Sequence, residues 1–429
     1  MSRETRRSVL AGVGTALTGT LSGCNGLTPL SGETTVEYDE SAIAALPGAI
    51  PRVPPATPVQ PTDAHLTSAR DRIRLLLDGT DLSQIPNAVV RDELARERES
   101  ARSALSPEDS GESRSEALEG LTHPRSEAMF VDAGLAAFRD ELTAEDVSTR
   151  RERDHADAES FLTDYSHVGP PDDPTAAFVE HARITDWGYT GVRLTDPESR
   201  REYENAVLHV AELAQNAEWG RAYAADARRL YKRYASTLDD PREYGAHFAS
   251  VAATLTDDIA SHATRPDWEA LTSDIKRELS NTPGEKLLRE LSKNRWASAQ
   301  NAVERRDAGR KVGAVIPALG ALTADRAVTD AKNAASDGAY GVPESVDPIA
   351  AERAAAVDGL RALLGTSPEP IARRLAGSVH TPIRNADRIA DENPSGADGS
   401  DLYAQYAVAN RLAAAAPPVV RRAGELLRT

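Results

Sequence analysis

Residues 206–238 read Ala-Val-Leu-His-Val-Ala-Glu-Leu-Ala-Gln-Asn-Ala-Glu-Trp-Gly-Arg-Ala-Tyr-Ala-Ala-Asp-Ala-Arg-Arg-Leu-Tyr-Lys-Arg-Tyr-Ala-Ser-Thr-Leu. Positions 206, 210, 213, 217, 220, 224, 227, 231, 234 and 238 are Ala, Val, Leu, Ala, Gly, Ala, Ala, Tyr, Tyr and Leu. Steps of three and four hold this uncharged stripe on one face of a helix for about nine turns. Alanine and glycine in the stripe let a neighbouring helix approach closely. Asp196-Pro197-Glu198 supplies a start signal, and Asp240-Pro241 ends the run. The expectation is one long central helix over about 197–238.

The helical period dominates on both sides of this stretch. Leu66, Ile73 and Leu77 share a face of a helix starting at Asp63 and stopping at Gly79. Further helices are expected at 83–105, 126–142, 144–165, 174–184, 243–263, 267–279, 284–310, 312–336, 347–364, 368–376, 382–392 and 400–427. Val312 to Leu322 is apolar all round and too short to span a bilayer, so it reads as a buried helix kinked at Pro317. Thr185 to Thr195 holds Gly188, Gly191, Trp187 and Tyr189. It reads as a packed loop or small hairpin and as the place of a subdivision. No fixed-period repeat and no strand–helix alternation is visible, which argues against a tetratricopeptide-like solenoid and a two-lobed solute-binding architecture. The fold class is all-α, a multi-helix bundle or irregular helical array over 63–429.

The chain has 429 residues, a formal net charge of −17 and one cysteine. An intramolecular disulfide is therefore impossible, and packing must supply the stability. Only six of the fifty basic residues are lysine. Acidic excess, scarce lysine and abundant alanine resemble proteins of salt-loving archaea. In molar salt the Debye length falls to about 3 Å, so repulsion among surface carboxylates is screened. No basic stripe interleaves with aromatics, which argues against nucleic acid as a partner.

The N-terminus carries the most specific signal. Arg6 and Arg7 precede a stretch from Ser8 to Gly32 without charge, weakly apolar and ending in Leu21-Ser22-Gly23-Cys24. The first part resembles a twin-arginine export signal, although Val9 stands where that family favours phenylalanine. The second resembles a lipobox, in which Cys24 becomes the lipid-bearing first residue. These resemblances imply a signal peptide over 1–23 and a lipoprotein held on the outer face of the cell membrane through Cys24. Prolines 29, 47, 51, 54, 55, 58 and 61 make 24–62 an extended tether. At about 3 Å per residue it would hold the body on the order of 100 Å from the bilayer.

Candidate chemistry is sparse. Glu152 and His155 form an i, i+3 pair, half of a bundle di-iron motif with no second copy. His209-x-x-Glu212 beside the apolar stripe resembles the His-x-x-Glu of imelysin-like proteins, which are exported, helical and linked to iron uptake. That resemblance implies a transition-metal ligand pair at His209 and Glu212, although Val207 replaces the family's glycine. Glu243/His247, Asp258/His262 and His155/Glu159 read as helix-surface i, i+4 contacts. Asp391 to Gly396 imitates half of a calcium loop, but Leu402 stands at the twelfth position. Hydrolase and phosphate-loop motifs are missing, which leaves only a dispersed Ser-His-carboxylate set as a catalytic alternative. The reading is a non-enzymatic helical binding or scaffold protein for an unknown surface or extracellular partner.

Overall fold

Most helices form where an apolar stripe follows a residue whose side chain caps the first turn, as Thr62, Asn87, Thr143 and Asn205 do. The computed structural model describes residues 38–56, 59–106, 113–197 and 203–429. In chain order the helices are α1 (Glu40–Ala44), α2 (Asp63–Leu77), α3 (Ala88–Ser103), α4 (Arg114–Gly120), α5 (Thr122–Phe138), α6 (Ala144–Thr163), α7 (Pro174–Thr195) and α8 (Ala206–Ala235). After them come α9 (Gly245–Ile259), α10 (Trp268–Thr272), α11 (Pro283–Asp307), α12 (Lys311–Ser336), α13 (Asp347–Leu364), α14 (Glu369–Glu392) and α15 (Gly399–Arg428). Among the described residues the only sheet pairs β1 (Val168–Gly169) antiparallel with β2 (Arg242–Glu243). The all-α class is thus what the helical periodicity indicates.

The central helix is real but shorter than expected. The Asn205 side chain accepts from the backbone N–H groups of Val207 and Leu208 and so starts α8 there. Lys232 and Arg233 sit in its last turn, opposite the negative end of the helix dipole. Residues 198–202, including Glu198 and Glu202, lie outside the described residues, as do the signal and Cys24. α8 packs against α5, α6 and α7, so burial extends on both sides of the stripe.

Thr185–Thr195 is not a loop or hairpin but the last three turns of α7. Its glycines serve close helix approach rather than a turn. A Cβ on Gly191 would lie 2.9 Å from Ala224 Cβ, and one on Gly220 would lie 2.8 Å from the Gly191 carbonyl. Residues 368–392 are one helix rather than two, because α14 runs through Pro382. A proline there costs about 3 kcal/mol in an isolated helix. The buried stripe Ile371, Leu375, Val379, Ile383, Ala386 and Ala390 offsets it. The expected helix at 267–279 survives only as α10, because Lys332 pairs with Asp274 and Arg277 donates to the Ser336 carbonyl. α12 contains Pro317, and the Gly313 carbonyl that loses its helical donor accepts from Arg305 Nη1 at 3.3 Å. This helix is long and apolar enough to cross a membrane, yet most of it is buried inside the protein.

Two cores result. One gathers α2, α3, α5 and α8, and the other gathers α9, α11–α15 and residues Ile43 and Leu46. α7 belongs to both: Ala177, Phe178, Val179 and Ala182 enter the second core, Ile184 and Trp187 the first. Residues 38–56 and 59–62 lie against the body instead of leading away from it, which corrects the reading of 24–62 as a tether throughout. Ile43 and Leu46 are buried in the second core, and Tyr38 Oη donates to the Pro343 carbonyl at 2.7 Å. Val59 is buried in the first core, and Arg233 Nε donates to the Gln60 carbonyl at 2.8 Å. This segment is a strap fastened to both cores.

Candidate functional site

A groove of about 810 Å³ lies between the α11–α12 pair and the α14–α15 pair. Small residues open it: Gly320 and Ala324 from α12, Gly377 from α14 and Ala404 from α15. Val408 and Leu412 add an apolar strip. Neutral polar side chains line the rest, with Asn294 and Ser298 on one wall and Thr381, Asn385 and Gln405 on the other. Pro382 adds a backbone group, since it has no N–H to offer the Ser378 carbonyl one turn earlier. Lys286, Glu290 and Asp401 stand at one end. Lys286 Nζ lies 3.0 Å from Asp398 Oδ2 and also bonds Asp401. Burial alone would lower this ammonium's pKa, but the two aspartates outweigh it and hold the pKa above the usual value. The groove therefore offers hydrogen bonds and an apolar strip without a free acid or base. Its volume is that of a small-ligand site.

The residues singled out by sequence lie elsewhere. His209 and Glu212 share one turn of α8 in the other half of the chain, and Glu212 is 9% exposed. The Nδ1 of His209 is buried without a hydrogen-bond partner. Among the described residues no group of three or more His, Cys, Asp or Glu could hold a metal. His155 Nδ1 lies 3.1 Å from the Val192 carbonyl, tying α6 to the end of α7, while Glu152 is exposed. The i, i+4 pairs near α9 take other partners. His247 Nε2 lies 3.0 Å from the Leu427 carbonyl, Glu243 accepts from the His167 and Gly245 backbone, and Asp258 accepts from Arg422 at 2.5 Å. His262 lies 3.3 Å from Asp325 rather than beside Asp258.

Among the described residues one Ser-His-carboxylate set exists: Ser126 Oγ is 3.4 Å from His123 Nδ1, and His123 Nε2 is 3.3 Å from Glu127. Ser126 is wholly buried and donates to the His123 carbonyl at 2.7 Å. No substrate reaches this hydroxyl, so the trio is a local helix contact.

Sequence reasoning missed the buried charged hubs. Asp226 of α8 bonds His65 Nε2 of α2 at 2.8 Å and Arg125 of α5. Burial pushes this carboxyl up, but the bonds from His65 and Arg125 outweigh it and hold it below the usual range. Glu218 takes two bonds of 3.0 Å from Arg72 and two more from Arg221. In the second core Asp387 joins Arg353 at 2.6 Å and Tyr406 Oη at 2.7 Å, while Arg353 also donates to the Gly48 carbonyl of the strap. A charged residue next to an apolar stripe is the only sequence signal such hubs leave.

Two family matches divide the chain where α8 ends and α9 begins. Residues 64–240 match a domain of unknown function, DUF8262, and residues 245–425 match a second, DUF8264. No curated protein and no solved structure matches the chain. The groove lies wholly within the DUF8264 match, and His209 and Glu212 lie within the DUF8262 match. The segment joining the matched regions, 241–244, contains β2, which pairs back to β1 inside the first.

Proposed function

We propose that this chain is an exported, lipid-anchored binding protein whose ligand lies in the groove of its second domain. The observation that carries the reading is the groove itself, with its neutral hydroxyl and amide lining beside an apolar strip. Such a lining suits an uncharged polar ligand with one apolar face, such as a sugar chain. The second domain's role is recognition, and the first domain with its strap joins that recognition to the membrane end of the chain. Arg6-Arg7 and the lipobox at Cys24 support export and lipidation.

Binding is tested with a panel of neutral oligosaccharides on wild type and on the double variant Asn385→Ala/Gln405→Ala. Losing two hydrogen-bonding side chains should weaken a true ligand at least tenfold, at about 1 kcal/mol each. If no panel member prefers wild type, this reading fails. Export is tested separately. Replacing Arg6 and Arg7 by Lys should leave precursor in the cytoplasm, and Cys24→Ser should abolish lipid attachment. Normal membrane attachment of both variants would refute the anchoring.

A further inference from the structure

Internal prolines in α12, α14 and α15 leave carbonyls one turn earlier without their helical donor. In α12 the protein supplies a substitute, since Arg305 donates to the freed Gly313 carbonyl. In α14 Pro382 frees the Ser378 carbonyl, and no side chain among the described residues donates to it. The Ser378 hydroxyl is itself turned back to the Leu375 carbonyl at 2.7 Å. Ser378 and Pro382 both line the groove, so this freed acceptor belongs to it. The proline ring also presses on that carbonyl and turns it off the helix axis. Gly377 and Ser378 are exposed, and a Cβ on Gly377 would meet nothing within 4 Å, so the approach to this turn is open.

The neutral side chains of the groove carry no fixed polarity. The hydroxyls of Ser298 and Thr381 and the amides of Asn294, Asn385 and Gln405 each give and accept hydrogen bonds. A main-chain carbonyl only accepts. The Ser378 carbonyl therefore sets a requirement that these side chains do not, namely a donor on the ligand at this turn of α14. An ether oxygen placed there would face it lone pair to lone pair. A hydroxyl that replaces water there keeps the carbonyl's hydrogen bond, whereas a deoxy or methylated position displaces the water and returns nothing.

We propose that the Ser378 carbonyl, freed by Pro382, is a specificity determinant of the groove and accepts a hydrogen bond from a ligand hydroxyl. The groove thereby selects a sugar with a free hydroxyl at that position over its deoxy or O-methyl analogue. This inference rests on the reading of the groove as a site for a neutral sugar chain.

The test is Pro382→Ala, which puts an N–H back opposite the Ser378 carbonyl and lets the helix claim it. The full mature chain is titrated calorimetrically with cellobiose, maltose and N,N′-diacetylchitobiose, and with the monodeoxy analogues of whichever binds most tightly. The parent sugar should lose about fivefold in affinity on Pro382→Ala. One monodeoxy analogue, already weaker on wild type, should lose nothing further. A mere change of groove shape would instead weaken the parent and every analogue alike. Thermal unfolding gives a reading without ligand: the midpoint of Pro382→Ala should rise, because the helix gains a bond and loses a clash. A midpoint at or below that of wild type, unchanged affinity for the parent, or equal losses for the parent and every analogue would overturn the proposal. Those results leave the groove reading standing where Asn385→Ala/Gln405→Ala weakens the same sugar. If no sugar binds wild type, the reading and this inference fall together.

Discussion

Burial sets the titration of single residues in α7. Glu180 is wholly buried, and one carboxyl oxygen has no partner, so its pKa rises from the ordinary carboxylate value to about 6. The folded state therefore holds this proton more tightly than the unfolded chain. Stability from Glu180 is greatest below about 4.5 and declines as pH rises through 6. The 1.5-unit difference corresponds to about 2 kcal/mol. Glu180→Gln should remove that decline, so the variant gains about 2 kcal/mol on wild type between pH 4.5 and 7.5. Urea unfolding at the two pH values measures it, and an unchanged difference would contradict the assignment. Its neighbour His181 acts in the opposite sense. Burial lowers its pKa to about 3, and Nε2 lies 2.7 Å from the Val168 carbonyl while Nδ1 lies 2.6 Å from Tyr165 Oη. The ring is neutral, and the stability it brings is present above about 6.5 and lost as pH falls towards 3. Nothing in the local sequence Val-Glu-His-Ala distinguishes these two residues from surface ones. Their state depends on β1 and on the strap, which arrive from elsewhere in the chain.

Close packing without side chains decides the behaviour of the helices. Glycine to alanine in a helix interior ordinarily stabilises by about 1 kcal/mol. At Gly220 the sign should reverse, because the added Cβ meets Thr195 Cγ2 at 2.6 Å and the Gly191 carbonyl at 2.8 Å. Gly220→Ala should cost roughly 1–3 kcal/mol as α7 and α8 are pushed apart. Gly377→Ala in α14 meets nothing within 4 Å and should stabilise by up to about 1 kcal/mol. Chemical denaturation of both variants tests the contrast, and two changes of the same sign would refute it. The stripe at 206–238 indicated small residues for close approach, and that part was legible. Which helix approaches was not. Gly188 and Gly191 look like turn residues until α6 and α8 are seen against them.

At the scale of the whole molecule, the strap and α7 join two domains that each have their own core. Ile43, Leu46 and the Gly48 carbonyl engage the second domain, while Val59 and Gln60 engage the first. The chain lacking residues 1–37 is the reference for the strap. Removing residues 1–62 should lower the midpoint and expose the apolar surface of α14 that α1 packs against, measurable as increased dye binding. Equal midpoints for the two truncations would show that the strap contributes nothing.

The sequence by itself determined the all-α class, most helix positions, the absence of a disulfide and the lack of a recognisable reaction motif. These follow from local periodicity, capping residues and composition, which need no knowledge of neighbours. The helix through Pro382, the helical end of α7, the strap, the buried charged hubs and the groove were decided by tertiary structure. Each depends on groups far apart in the chain whose desolvation and packing outweigh local preference. The 206–238 stripe shows the division clearly: its period fixed a helix, and only the fold revealed that Glu212, Glu218 and Asp226 beside it are also buried.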